Sequence, residues 1–407
     1  MRYVTVVPAD RISARAWAVL AGCLVCQMGL GLGGYVFAVF LKPVVQELGW
    51  SRAAYSVSTL PLLLAMSIGS PVVGRLTDRL GARLVFATSI SLVAITLVLM
   101  SRMQSLWEFY AYGFVLGVGV TGLGDIPAGA IVTRWFTRAR GMALGVAYVG
   151  SNLGGAIVPV LATAIAVESS WREALQVLAV GGWVFIFPAA LLLVRDQAPQ
   201  PTRAPAEDDD APTIGGLDLG AACRTRSFWI LLVALFTFYF YYLGVNNHLV
   251  AYLSDAGFSD TAAAWHFGYT VLIGIVGKLS VGLLADRIPI RRAMWGTFAA
   301  MTVGSLILLW VHEAPALLPL FLTVHGFTVA AENVMLPLVV AYCFGVRAVA
   351  SIYGVLMLAL LPGGVLGPYV AGRVFDAVGT YAPAFATFAA ANVATLVLLL
   401  GVRRETT

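Results

Sequence analysis

The chain has 407 residues, of which 60% are hydrophobic and only 11% charged, with a formal net charge of +5. Soluble proteins carry about 25% charged residues, so this composition excludes a water-soluble globular domain. The basic excess is no nucleic-acid footprint either, because the arginines are spread over short loops rather than gathered on one face.

A helix that crosses a bilayer needs about 20 apolar residues. Twelve runs meet that length, at 15–41, 52–73, 83–101, 106–133, 140–167, 173–194, 227–254, 262–284, 291–311, 315–342, 347–371 and 381–401. The first has no clean small-residue cleavage site, so it is expected to be a retained span rather than a signal peptide. It carries Gln27, an amide able to cross-link helices, and the pair Cys23 and Cys26. With no His or second Cys pair near them, these cysteines read as buried apolar thiols rather than as a redox or zinc site.

After the second span comes "GRLTDRLGAR", Gly74 to Arg83, which includes Asp78 and Arg79. The fourth span contains "GVGVTGLGDIPAG", which matches G-x-G-x-x-G at Gly117, Gly119 and Gly122 and holds Asp125. A dinucleotide loop needs a preceding strand, so the glycines read as helix packing and a flexible point ahead of Pro127. In the fifth span Asn152 lies twelve residues past Arg140, or ~18 Å along a helix. It is expected to touch a ligand or to cross-link helices.

The proline-rich, acidic stretch from Arg195 to Arg226 has no apolar periodicity and reads as a cytoplasmic linker between two six-span halves, 1–194 and 227–407. The seventh span contains "FTFYFYYLGVNNHL", with Tyr242, Asn247 and His248. His248 is ~33 Å along the helix from Arg226, near its outer mouth, where it could be an outer gate, a proton antenna or a helix-end hydrogen bond.

The eighth span, "YTVLIGIVGKLSVGLLADR", places Lys278 in an otherwise apolar run, with Gly274 and Gly282 one turn to either side. A charge at the centre of a membrane helix costs roughly 2.5–3.5 kcal/mol on insertion scales, so it needs a partner or a function. It is followed by "GLLADRIPIRR", Gly282 to Arg292, which includes Asp286 and Arg287 and echoes the loop at Gly74. The tenth span carries Glu332 and Asn333 ahead of Pro337.

With the N-terminus in the cytoplasm, 19 of the 25 basic residues fall on inner segments. The positive-inside rule therefore puts both termini in the cytoplasm. Asp125 and Lys278 each precede a rim arginine (Arg134, Arg287) by nine residues, which is ~14 Å and close to the middle of a ~30 Å core. Glu332 lies ~22 Å from Arg347. Three ionisable groups thus share the central level of three helices, where such residues face the bundle interior or a water-filled cavity.

Parallel six-helix repeats organise one large transporter class, and the two G-x-x-x-D-R loops resemble the signature of the major facilitator superfamily. "YVFAVFLKPVVQELGWSRAAYS", "RWFTRARGMALGVAYVGSNLGG", "HLVAYLSDAGFS" and "GPYVAGRVFDAVGTYAPAF" resemble its monocarboxylate and oxalate–formate branch. The resemblance implies an all-α membrane protein of 12 helices in two pseudo-symmetric bundles, working by alternating access with a substrate site between them. It implies that Lys278 stands where many branch members have a carboxylate-binding arginine. Lysine keeps the charge but lacks the bidentate fork. It further implies that Gly74, Asp78, Arg79, Gly282, Asp286 and Arg287 form a conformational latch.

The expected activity is secondary transport of a small organic anion, foremost a monocarboxylate, with a proton. Lys278 would attract the carboxylate, and Asp125, Glu332 or His248 would handle the proton. Asn333, Asn152, Tyr242 and Asn247, together with Asp125 and Glu332, complete the expected binding set. A structural alternative is a Lys278–Asp125 salt bridge that only holds the bundles together. A zwitterionic or dicarboxylate cargo, or a non-transporting ligand sensor, are the other readings. No nucleophile–His–acid set, metal-ligand spacing or Walker motif is present. The expectation is therefore no enzyme, cofactor, metal or nucleic-acid partner, and a monomer in the bilayer. Arginine-over-lysine usage points to a bacterial inner membrane.

Overall fold

The computed structural model describes residues 13–57, 59–136, 138–196, 216–255 and 257–406. Twelve of its helices are long and apolar enough to cross a membrane. Spans one to six are Ala14–Leu32, Thr59–Leu80, Ala82–Met100, Leu106–Trp135, Arg140–Glu168 and Trp171–Leu192. Spans seven to twelve are Arg226–Leu253, Gly268–Ala285, Ile290–Trp310, Pro315–Phe344, Val349–Val378 and Ala382–Gly401.

Two boundaries differ from the sequence reading. The first span stops at Leu32, Gly33 leaves helical geometry at φ −87 and ψ −104, and a new helix runs Gly34–Leu48. Gly31 lies against the Gly154 carbonyl so closely that no side chain fits, and the chain bends at this crossing. The second span is helical over Arg52–Val57 and Thr59–Leu80, and so continues past 73 through Arg75, Asp78 and Arg79. Hydropathy marks the apolar core of a span, whereas a helix can carry charged residues beyond it at the membrane rim.

A third feature matters more for chemistry. Span four is broken at Gly124 (φ −83, ψ −157) into Leu106–Leu123 and Asp125–Trp135. Asp125 therefore opens a new helical segment at mid-span, where unpaired N–H groups and the helix dipole favour negative charge.

Two hydrophobic cores form, one drawn mainly from spans one to six and the other from spans seven to twelve. They meet where Ile126 and Ala130 of span four join the second core and Val334 and Leu338 of span ten join the first. Ser67 Oγ donates to the Leu358 carbonyl at 3.1 Å, and Asn152 Nδ2 to the Val271 carbonyl at 3.4 Å. Hydrogen bonds between the bundles join span two to span eleven and span five to span eight.

The linker reading at 195–226 falls largely outside the described residues, including the acidic run Glu207 to Asp210. Its described end is anchored: Leu217 N–H donates to the Phe344 carbonyl at 2.8 Å, and Asp218 caps a short helix, Leu219–Ala222.

Candidate functional site: a charged cluster between the bundles

Lys278 is 3% exposed, and all three of its N–H donors reach across to span five. They go to the Tyr148 carbonyl at 2.8 Å, Ser151 Oγ at 2.8 Å and Asn152 Oδ1 at 2.6 Å. An ammonium has three donors and no acceptor, so its hydrogen-bonding capacity is filled by neutral oxygens. Span five can approach this closely because Gly145 lies against the Lys278 carbonyl.

Asp125 and Lys278 form no ion pair among the described residues, and they act on each other electrostatically at longer range. The Tyr148 hydroxyl bridges them by donating to the Asp125 main-chain oxygen at 2.9 Å, while its own carbonyl accepts from Lys278. The Asp125 side chain accepts from Gln27 Nε2 at 2.8 Å. Asp125 as a residue is half-buried.

Glu332 is 5% exposed, and among the described residues none of the hydrogen bonds of this cluster involves it. It lies within electrostatic reach of Asp125 and of Tyr148, Tyr239 and Tyr353. The expected central trio of Lys278, Asp125 and Glu332 is therefore brought together. Tyr239, one of the span-seven tyrosines able to line a cavity, joins it, and so do Tyr148, Tyr353 and Ser151, which were not singled out in the sequence. Aromatic residues are frequent in apolar spans, and the acceptor on Tyr148 is main-chain, which no side-chain pattern announces.

Other expected residues fall elsewhere. Asn152 is in the cluster. Asn333 is half-buried beside Glu332 on span ten, and Tyr242 is half-buried and stacks on Phe238 at 5.7 Å. Asn247 is exposed. His248 is bonded inside the second bundle, to Tyr381 Oη at 3.2 Å and the Pro368 carbonyl at 3.0 Å.

At the arginine-rich end, Asp78 and Asp286 each cap a helix of the opposite bundle. Asp286 accepts from Gly141 N–H at 2.8 Å and Met142 N–H at 2.9 Å. Asp78 accepts from Ser351 N–H at 2.8 Å and from Arg134 at 2.6 Å. Gly74 abuts the Ala350 carbonyl, and Gly282 abuts Gly141. Arg79 and Arg287 are exposed and take no ion pair among the described residues. Arg79 sits one position past Asp78, and one helical residue turns a side chain about 100° away. Arg134 is the cation that meets Asp78 instead.

Lower in the interface, Gly129 of span four faces Pro337 of span ten at 3.1 Å from its Cβ position. The two bundles are thus closed from the arginine-rich end up to the charged cluster. No group of three or more metal-binding side chains exists among the described residues.

Comparison with known proteins extends these findings. The family model for the Major Facilitator Superfamily matches residues 23–368. Monocarboxylate transporter 13 of Bos taurus is 27% identical over 353 residues, covering 86% of this chain and 80% of its own length. Monocarboxylate transporter 12 of Homo sapiens is 26% identical over 408 residues, covering 91% and 77% respectively. The glycerol-3-phosphate transporter of Bacillus subtilis (strain 168) is 26% identical over 320 residues, 70% of each chain. Among solved structures, the human organic anion transporter MFSD10 (TETRAN) superposes with a TM-score of 0.69 at 18% identity, covering 95% of this chain and 100% of that one. FucP in its outward conformation gives 0.70 at 15% identity, covering 94% and 99%. These two show the shared fold.

Proposed function

Because the chain belongs to the major facilitator superfamily, a family of transporters, we propose that it moves a small organic anion, foremost a monocarboxylate, together with a proton. The observation that carries this reading is Lys278: a buried cation at the bundle interface whose partners are all neutral. An arriving carboxylate would offer it a charge-assisted hydrogen bond, roughly twice as strong as a neutral one. Cargo held there would sit between Lys278 of one bundle and Ser151 and Asn152 of the other, and so would bias their relative position. The monocarboxylate and glycerol-3-phosphate transporters it resembles are named for anionic cargo, which supports an anion here.

In this reading the bundles 1–194 and 227–407 rock about the central cluster, joined by 195–226. The arginine-rich face is cytoplasmic by the positive-inside rule, in a plasma membrane, and it is the face closed by the two aspartate caps. Asp78 and Asp286 are the latch. Asn333 and Tyr242 line the site, while Asn247 and His248 belong to its outer mouth. The coupling proton goes to Asp125 or Glu332, and the carrier works as a monomer.

A second reading has one observation in its favour. Glu332 is buried and takes no hydrogen bond in this cluster, a place suited to the cationic end of a zwitterionic cargo. One assay separates the two: uptake of labelled monocarboxylates, dicarboxylates and amino acids into proteoliposomes, with and without an inside-alkaline gradient, for wild type and Lys278→Ala. Gradient-stimulated monocarboxylate uptake that falls at least 100-fold in the variant is expected. Uptake that survives the substitution makes Lys278 a structural charge. Amino-acid uptake in place of monocarboxylate uptake favours the second reading.

A further inference from the structure

A group that carries a proton through a transport cycle has to be held in both of its charge states. Of the two central carboxylates, Asp125 has partners for that. As a carboxylate it begins the helix segment Asp125–Trp135 and accepts from Gln27 Nε2 at 2.8 Å. Lys278 adds a positive charge within electrostatic reach.

The partner for the protonated form is Gln27 itself. Its side chain is wholly buried, and its Oε1 has no hydrogen-bond donor. An unsatisfied buried acceptor costs about 1–3 kcal/mol, and such a group in a native fold calls for an explanation. Amide nitrogen and oxygen lie on one planar carbon, so a carboxyl group already bonded to the nitrogen is next to the oxygen. A carboxylic acid facing an amide in this way donates its O–H to the amide oxygen while accepting the amide N–H.

We propose that Asp125 is the residue that takes up the transported proton, and that Gln27 is its positioning residue, closing an acid–amide pair when Asp125 is protonated. This rests on the transport reading above and specifies its proton site. The step is balanced: a proton from water forms one O–H bond on the Asp125 carboxylate, its charge goes from −1 to 0, and no other bond changes. At the same time the negative charge near Lys278 disappears, so Asp125 no longer offsets the attraction of Lys278 for an incoming carboxylate. Anion and proton thus enter together with no change in the net charge of the cluster.

The groups facing Asp125 are Gln27 from span one, Tyr148 from span five, Tyr239 from span seven, Lys278 from span eight, Glu332 from span ten and Tyr353 from span eleven. Glu332 is the competing candidate. It takes no hydrogen bond in this cluster, whereas Asp125 already has the Gln27 amide as a partner.

Infrared difference spectroscopy of the purified full chain, titrated with acid in the absence of any cargo, tests this. The expected result is that, within the carboxylic-acid C=O absorption the chain's 20 acidic residues produce on acidification, one component is absent in Asp125→Asn and persists in Glu332→Gln. In Gln27→Met that component should persist with a shifted frequency, because the acid has lost its acceptor. A component that vanishes in Glu332→Gln, that is unmoved in Gln27→Met, or that survives Asp125→Asn overturns the proposal. If Asp125→Asn fails to fold, the other two variants decide. The experiment needs no substrate, so a wrong cargo and a wrong proton site give separate failures.

Discussion

The carboxylate of Asp286 caps a helix of the opposite bundle, accepting the Gly141 N–H at 2.8 Å. Asp78 does the same in the other direction, accepting from Ser351 at 2.8 Å. The two contacts are related by the pseudo-symmetry of the bundles, and both exist only while the arginine-rich face is closed. A negative charge at a helix N-terminus contributes about 0.3–1 kcal/mol, and each hydrogen bond to a charged group about 1.5–3 kcal/mol.

Asp286→Asn keeps one acceptor oxygen and loses the charge. The closed form should weaken by about 1–2 kcal/mol, a factor of roughly 5–30 in its population. Spin labels placed on the two bundles at the arginine-rich face report this directly. A longer-distance population should grow in the variant, and an unchanged distance distribution would show that the cap does not set the equilibrium.

Glycine closeness makes a second prediction. A methyl group on Gly141 would overlap the Gly282 carbonyl, and one on Gly282 would overlap that of Gly141. Both obstacles are backbone atoms, which cannot rotate away. Gly282→Ala should therefore prevent closure of this face and lower transport at least tenfold. Gly296 of span nine meets nothing within 4 Å, so Gly296→Ala is the matched control and should transport normally. Equal activities would remove close packing as the reason for glycine at the interface.

Lys278 and Asn152 offer a test that adds a charge rather than deleting one. Asn152 Oδ1 is 2.6 Å from the Lys278 ammonium, so Asn152→Asp would place a carboxylate where the cargo's is proposed to bind. Expected outcomes are a thermal melting point raised by a few degrees in the absence of cargo and uptake reduced at least tenfold. Breaking the same contact with Asn152→Ala should lower the melting point. Normal uptake by Asn152→Asp would mean that the cargo anion binds elsewhere.

Much of this architecture could be read from the chain alone, and the parts that could not share a cause. Twelve spans follow from apolar run lengths, and the common depth of Asp125 and Lys278 follows from nine-residue spacings to Arg134 and Arg287. The break at Gly124 does not, because a glycine-rich segment is compatible with a continuous helix, and tertiary packing decides where it opens. That break is what puts Asp125 at a helix start. The partners of Lys278 were hidden for a related reason: one is the Tyr148 main chain, and the others depend on the rotation of span five about its axis. Chain adjacency also misdirects at the latch, where Asp78 meets Arg134 across 56 positions and not its neighbour Arg79.

Acid should loosen one contact on the opposite face. Glu47 ends the helix that follows span one, and its carboxylate accepts the Trp171 indole N–H at 2.6 Å and the Arg172 guanidinium at 2.9 Å. Partial burial works to raise its pKa, but these two donors and the Arg172 charge outweigh it and hold the carboxyl below its ordinary value of 4.5. A carboxylate with a lowered folded-state pKa contributes stability that is fully present above the unfolded value and lost as pH falls through the folded one. Arg172 also donates to the Ser101 and Met103 carbonyls, so this contact ties span six to the end of span three. Glu47→Gln should melt slightly below wild type at pH 7, the effect being small because the Glu47 side chain is 46% exposed. The difference should shrink below about pH 4.5, where the unfolded-state carboxyl begins to protonate. Melting curves of both proteins at several pH values measure it, and a difference that stays constant down to pH 3 would show that the Glu47 charge contributes nothing.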